Sequence, residues 1–223
     1  MSDQQGPEQR LRIEFAKGAE LKYISHLDLA RAWERVFRRA ALPLAYSQGF
    51  NPRPRFQIAA ALAVGVTGRV ELLDAWLETR MDPQDVLAHL EPSLPPGLDV
   101  LSVKEVDLRA ASLQSQMRTA EYRADVRTSE PLEGIEIRVR ALLEAPALPR
   151  QRHHKGRMRS YDLRPLIRGI EVGPGEGGQV VLRLHLQNSP KGAGRPDEVV
   201  DALGLSIAPH AIERTKLHFE FDK

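Results

Sequence analysis

The chain has 223 residues, enough for one large domain or two small ones, and its 32 Lys+Arg against 30 Asp+Glu leave a formal net charge of only +2. It has no cysteine, which excludes disulfide frameworks, thiolate zinc sites, iron–sulfur ligation and cysteine nucleophiles and makes a reducing, cytoplasmic setting the expected one. Residues 1–10 are polar and lack the apolar stretch of a signal peptide, and no later apolar run is long enough to span a bilayer, so neither export nor a membrane partner is expected.

Residues 1–10 read as a disordered tail. Residues 11–16 then alternate apolar with polar, placing Leu11, Ile13 and Phe15 on one face of a strand. Ser25-His26-Leu27-Asp28 reads as a capping box that opens a helix. Leu29, Trp33, Val36, Phe37 and Ala40 form its apolar stripe, with Arg31, Arg35, Arg38 and Arg39 opposite. Residues 44–57 hold two prolines, a glycine and two arginines, which is loop chemistry with aromatic residues set into it. Apolar residues resume over 58–66 and again over 70–77, two strand-like runs separated by Gly68. Asp82 as cap with Pro83 at the first helical position starts a second helix through Val86, Leu87 and Leu90, and 98–106 alternates as another strand.

Strand, helix, strand, strand, helix, strand is the order of a ferredoxin-like βαββαβ unit. Beyond a connector at 108–121 the same order can be read again: a strand at 122–127, a helix at 131–143, strands at 162–172 and 180–187 around a Gly-rich turn at 173–178, a short helix at 196–203 and a strand at 212–221. The expected fold is therefore α+β, with two ferredoxin-like units and antiparallel sheets. They span 11–107 and 122–223, the second carrying a basic insertion at 146–160.

Tyr23-Ile24-Ser25-His26-Leu27-Asp28, Ala45-Tyr46-Ser47-Gln48-Gly49-Phe50-Asn51-Pro52-Arg53-Pro54 and Ala61-Leu62-Ala63-Val64-Gly65-Val66 together resemble the radical-SAM-linked proteins, a bacterial family of unknown function. Tyr161-Asp162-Leu163-Arg164-Pro165-Leu166-Ile167 looks like a further family segment. What the resemblance implies is a partner. Members are fused to, or encoded beside, a radical SAM protein, which would carry the iron–sulfur chemistry that a cysteine-free chain does not. No cofactor and no activity of the chain itself are implied.

Two segments could carry binding chemistry. Arg150, Arg152, Lys155, Arg157 and Arg159, followed by Arg164 and Arg168, have Asp162 as the only nearby acid. Such a cluster neutralises several phosphates and releases counterions on binding; the plainer alternative is a solvated loop kept soluble by its charge. In the second segment, Tyr46 and Phe50 offer stacking faces beside the donors Gln48, Asn51, Arg53 and Arg55, a mixture suited to single-stranded RNA. Its alternative is a rigid loop whose aromatics fold back into the core. The two segments are expected to converge on one anion-accepting face.

His26, beside the helix cap with Lys22, Tyr23 and Asp28 close in sequence, is the one candidate catalytic residue, as the acid or base of a metal-independent endoribonuclease or RNA-modification subunit. A helix N-terminus, however, opposes proton retention there. Adjacent His153 and His154 rarely converge on one ion, so no metal is expected. Trp33 and Trp76 read as core, and residues 173–178 lack the ending of a phosphate-binding loop. The leading reading is a non-catalytic RNA-binding or adaptor protein acting with a separate radical SAM enzyme, with Arg31, Arg35 and Arg38 as auxiliary contacts to RNA or a ribonucleoprotein. Its rivals are an enzyme centred on His26 and a purely protein-binding subunit that docks through residues 46–55.

Overall fold

The computed structural model describes residues 6–154, 156–205 and 207–222. It divides into two compact units, Met1–Gln116 and Met117–Lys223. The first runs β1 (Gln9–Lys17), α1 (His26–Arg39), β2 (Phe56–Ile58), β3 (Val66–Leu77), α2 (Pro83–Leu90), β4 (Leu98–Val106) and the short α3 (Leu113–Gln116). β1 pairs antiparallel with both β3 and β4, and β2 with β3, giving the strand order β4-β1-β3-β2. The second unit runs β5 (Met117–Arg127), α4 (Leu132–Glu144), β6 (Pro149–His154), β7 (Arg157–Asp162), β8 (Ile167–Pro174), β9 (Gln179–Ser189), the two-residue β10 (Gly192–Ala193), α5 (Pro196–Ala202) and β11 (Ile207–Phe219). Its order is β11-β5-β9-β8, again antiparallel throughout. Each unit is thus a ferredoxin-like βαββαβ element set, and the α+β class expected from the sequence is the one the chain adopts.

Local chemistry explains the elements. The period-2 face of β1 buries Leu11, Ile13 and Phe15, and α1 lays Leu29, Trp33, Val36 and Phe37 over it. Phe15 meets Trp33 edge-on at 5.1 Å between centroids, and Trp33 meets Phe37 at 5.3 Å. Each such side chain stabilises the fold by about 1.5–3 kcal/mol through burial. Ser25 caps α1: its Oγ accepts from the Asp28 backbone N–H at 3.2 Å while its hydroxyl donates to the Asp28 carboxylate at 2.7 Å. Asp82 caps α2 by accepting from the Gln84 N–H at 2.8 Å.

Several expectations are corrected. Gln9 and Arg10, read as tail, open β1; residues 1–5 of that tail lie outside the described residues. The strand expected over 58–66 is mostly loop, since β2 ends at Ile58 and Gly65 turns the chain at φ +87° before β3 begins. Its alanines supply little of the branched or aromatic bulk that holds a pleated surface. β5 starts at Met117 rather than Tyr122, within what read as connector. The basic insertion is a paired hairpin, β6–β7, in continuous register from Pro149↔Asp162 to His154↔Arg157.

Trp76 is buried, as its apolar position led one to expect, and two guanidinium groups lie over its ring, Arg10 at 4.9 Å and Arg55 at 4.8 Å from the centroid. On the same sheet face Asp74 accepts from Arg10 Nη2 at 2.5 Å and Arg12 Nε at 2.8 Å, all three groups being buried. Arg10 also donates to the Ala110 and Ala111 carbonyls, and Gln114 Nε2 to the Ile58 carbonyl at 3.2 Å. The segment after β4 therefore lies against this face.

Candidate nucleic-acid interface

Residues 45–55 form an arm with a hydrogen-bonded base. The Ala45 N–H donates to the Trp76 carbonyl at 2.7 Å, the Trp76 N–H to the Arg55 carbonyl at 3.0 Å, and the Arg55 N–H to the Ala45 carbonyl at 2.7 Å. Higher up, Tyr46 bridges Pro54, the Ser47 N–H donates to the Arg53 carbonyl at 2.9 Å, and Ser47 Oγ accepts from the Arg53 N–H at 3.0 Å. Gly49, at φ +130°, turns the tip. Tyr46 is half exposed and Phe50 wholly so, with Gln48, Asn51 and Arg53 also in solvent. The aromatics do not fold back into the core. Arg55 is exposed too, but its guanidinium lies 4.8 Å from the centroid of the Trp76 ring, at the base of the arm.

The β6–β7 register places Arg150 opposite Tyr161 and Arg152 opposite Arg159. Alternation therefore puts these four on one face of the hairpin. Two like charges directly opposite are unfavourable, and α5 supplies the compensation: Glu198 accepts from Arg152 Nη2 at 3.0 Å and Nε at 3.3 Å. Tyr161 donates its hydroxyl to the same carboxylate, and Arg152 lies over the Tyr161 ring at 4.6 Å. Burial, then the bond to Glu198, pushes the Tyr161 phenol above its ordinary value. Arg152 thus docks the hairpin on α5, and an acid distant in sequence cancels part of the basic field.

Arg164 is committed as well. Its Nε and Nη2 donate to the Leu143 carbonyl at 2.9 and 2.6 Å, closing the last turn of α4, and its Nη1 to the Ile167 carbonyl at 3.0 Å. Arg150 donates to the Pro149 carbonyl at 3.1 Å and keeps a buried Nε without a hydrogen-bond partner. Arg159 is exposed, with half-exposed Met158 beside it. Arg157 opens β7 opposite His154, and Lys155 lies outside the described residues.

His26 is the first residue of α1 and is half-buried. Its acidic neighbour Asp28 is held below the usual carboxylate range by hydrogen bonds from Ser25 and Arg31, the latter at 3.0 Å. Burial pushes the Lys22 ammonium down; it lies 5.6 Å from the centroid of the exposed Tyr23 ring. Arg31, Arg35, Arg38 and Arg39 line the solvent side of α1.

Two histidines escaped the sequence reading. His185 on β9 and His218 on β11 lie on the face of the second sheet turned away from its buried Leu182, Leu184 and Leu186, with ring centroids 5.5 Å apart. The alternation of Arg183, His185 and Gln187 with those leucines was the available signal. This face carries Thr119, Glu121 and Arg123 from β5, and from β9 Arg183, His185 and Gln187, with no Phe, Tyr or Trp at those three β9 positions. Among the described residues no three His, Asp or Glu side chains could hold a metal ion, and no helix is long and apolar enough to cross a membrane.

The aromatic arm belongs to the first unit and the basic hairpin to the second. A family model described as "Uncharacterized protein conserved in bacteria (DUF2344)" matches residues 10–196. No curated protein matches the chain. Among solved structures, a chain of a Cbf5–Nop10–Gar1 complex is 14% identical with a TM-score of 0.52, covering 97% of this chain and 54% of that one. A chain of the archaeal box H/ACA sRNP Nop10–Cbf5 complex is 13% identical (TM-score 0.46; 92% and 47% covered). One from an H/ACA RNP bound to a substrate RNA containing 2′-deoxyuridine is 16% identical (TM-score 0.45; 92% and 47% covered). The chain spans about half the length of these, and at 14% identity the likeness to the Cbf5–Nop10–Gar1 chain is one of fold.

Proposed function

The chain belongs to this family of uncharacterized bacterial proteins, and on that premise we propose that it is an RNA-binding accessory protein which grips single-stranded RNA with the arm at 46–53. The observation that carries the reading is Phe50, left wholly in water at the tip of an arm whose base is closed by backbone hydrogen bonds. An exposed phenylalanine on an ordered support forgoes about 1.5–3 kcal/mol of burial, and a base stacked on it recovers about 1–3 kcal/mol. Because the arm is already ordered, little conformational freedom remains to be lost on binding.

Tyr46 offers a second stacking face, and Gln48, Asn51 and Arg53 offer donors around it. Arg31, Arg35 and Arg38 on α1, and Arg150 and Arg159 on the hairpin, serve phosphates, while Arg152, Arg164 and Arg55 hold the supporting structure in place. The proposed partner is a separate radical SAM enzyme. Support for it comes from the motif segments around 23–28, 45–54 and 61–66, and from the lack of any cysteine to ligate a cluster here.

Binding of a single-stranded RNA, followed at rising salt, tests the reading. The logarithm of the affinity should fall linearly with the logarithm of salt, by about 0.7 per phosphate neutralised. Absence of binding even at low salt removes the proposal.

A further inference from the structure

We infer that the second sheet carries a phosphate-accepting site built from His185, His218, Thr119 and Arg168, distinct from the aromatic arm and from the basic hairpin. Strand order creates it, since β5 lies between β9 and β11. In register His185 stands opposite Glu121, and His218 opposite Thr119. The side chains cross this pairing: His185 Nε2 meets Thr119 Oγ1 at 2.7 Å, and His218 Nε2 meets Glu121 Oε1 at 2.6 Å. Both rings therefore lean over β5, 5.5 Å apart and tilted by 44°. Arg168, from β8, is steadied by donating to Gln187 Oε1 at 2.6 Å.

The charge pattern selects the ligand. Facing the pair are Glu121 on β5, Arg168 on β8, Lys216 on β11 and, two residues further along β9, Arg183, whose cross-strand neighbours are Arg123 and Glu171. Arg123 is paired with Asp125 at 2.9 Å. Without an anion, burial and then the neighbouring His218 hold the His185 imidazole below its ordinary value, with Arg168 adding to the effect against Glu121. With both rings protonated, two imidazoliums, Arg168 and Lys216 outweigh the carboxylate of Glu121, leaving positive charge in excess. A phosphate group offsets that excess and accepts from imidazolium, guanidinium and hydroxyl donors at once; a phosphate monoester also has a second ionisation near 6, in the range where histidines titrate, which a backbone diester lacks. The rings, His218 and His185 both being half-buried, remain reachable from solvent.

The test is a histidine C2–H NMR titration of the whole chain in chloride and in inorganic phosphate at matched ionic strength. Phosphate should displace the His185 titration to higher pH, and that displacement should vanish in His218→Gln and in Arg168→Gln. Arg168 is exposed, so its variant keeps the test valid even if the first change perturbs the sheet. A short single-stranded RNA lacking terminal phosphate forms the second arm. The same displacement with RNA identifies the backbone as the source, and displacement with inorganic phosphate alone identifies a small phosphate ligand; either supports the site. No displacement with either overturns it, as does one that survives intact in Arg168→Gln, the mark of an adventitious ion only. Loss of RNA binding by the arm leaves the phosphate arm of this test unaffected.

Discussion

Replacing Phe50 by alanine isolates the aromatic arm as a binding element. The ring is wholly exposed, and the bonds that hold the arm run through the backbone of Ala45, Ser47, Arg53, Arg55 and Trp76 and the Ser47 hydroxyl. Its removal should therefore change stability by no more than about 0.5 kcal/mol, moving Tm by about 1–2 °C for a chain of this size. Loss of one base stack costs about 1–3 kcal/mol, or about 5- to 150-fold in Kd. Fluorescence anisotropy with a labelled single-stranded RNA reads the affinity, and a thermal melt of the same preparations reads the fold. The salt slope should stay that of the parent protein, because a ring contacts no phosphate. Phe50→Trp should restore binding. A Kd within twofold of the parent's for Phe50→Ala, with the melt unchanged, would refute the stacking argument.

Other expectations follow from the same contacts. Asp74→Ala strips the carboxylate shared by buried Arg10 and Arg12 and should cost about 3–5 kcal/mol in urea unfolding; a loss under about 1 kcal/mol would mean that the pair is solvated. Glu198→Ala releases Arg152 from α5, so trypsin should cut the β6–β7 hairpin faster while RNA affinity holds or rises; an unaltered cleavage rate would show that the clamp does not dock the hairpin. His185 is held below its ordinary value of 6.5, so between the two values the unfolded chain binds more protons than the folded one. Its contribution to stability is complete above pH 6.5 and declines as pH falls through 6.5 towards the folded value. His185→Gln should flatten that limb of a stability–pH profile, and an identical limb in the variant would place the titration elsewhere.

Much of the fold was legible because its determinants are local. The alternation of Leu11, Ile13 and Phe15, the stripe from Leu29 to Phe37, the Ser25 and Asp82 caps and the turn around Gly175 each act over a few residues, and the structure contains every one. The failures share a cause. Residues 58–66 are apolar without the branched bulk or backbone geometry of a strand, and apolar content alone does not separate the two. The β6–β7 hairpin was hidden because its period-2 alternation is written in Arg and Gln rather than in apolar residues.

Most element types and their buried faces were determined by the sequence alone, since backbone periodicity, caps and turn residues depend on near neighbours, whereas the exposure of Tyr46 and Phe50 was not. Which charges stay available was decided only by the tertiary structure. Arg152 is taken up by Glu198, 46 residues away, Arg164 by the end of α4, and Arg10 by Asp74, 64 residues away. The same holds for His185 and His218, brought together by the strand order β9-β5-β11. A charge or an imidazole takes its character from whatever lies within a few ångströms of it, and folding selects those neighbours without regard to their distance along the chain.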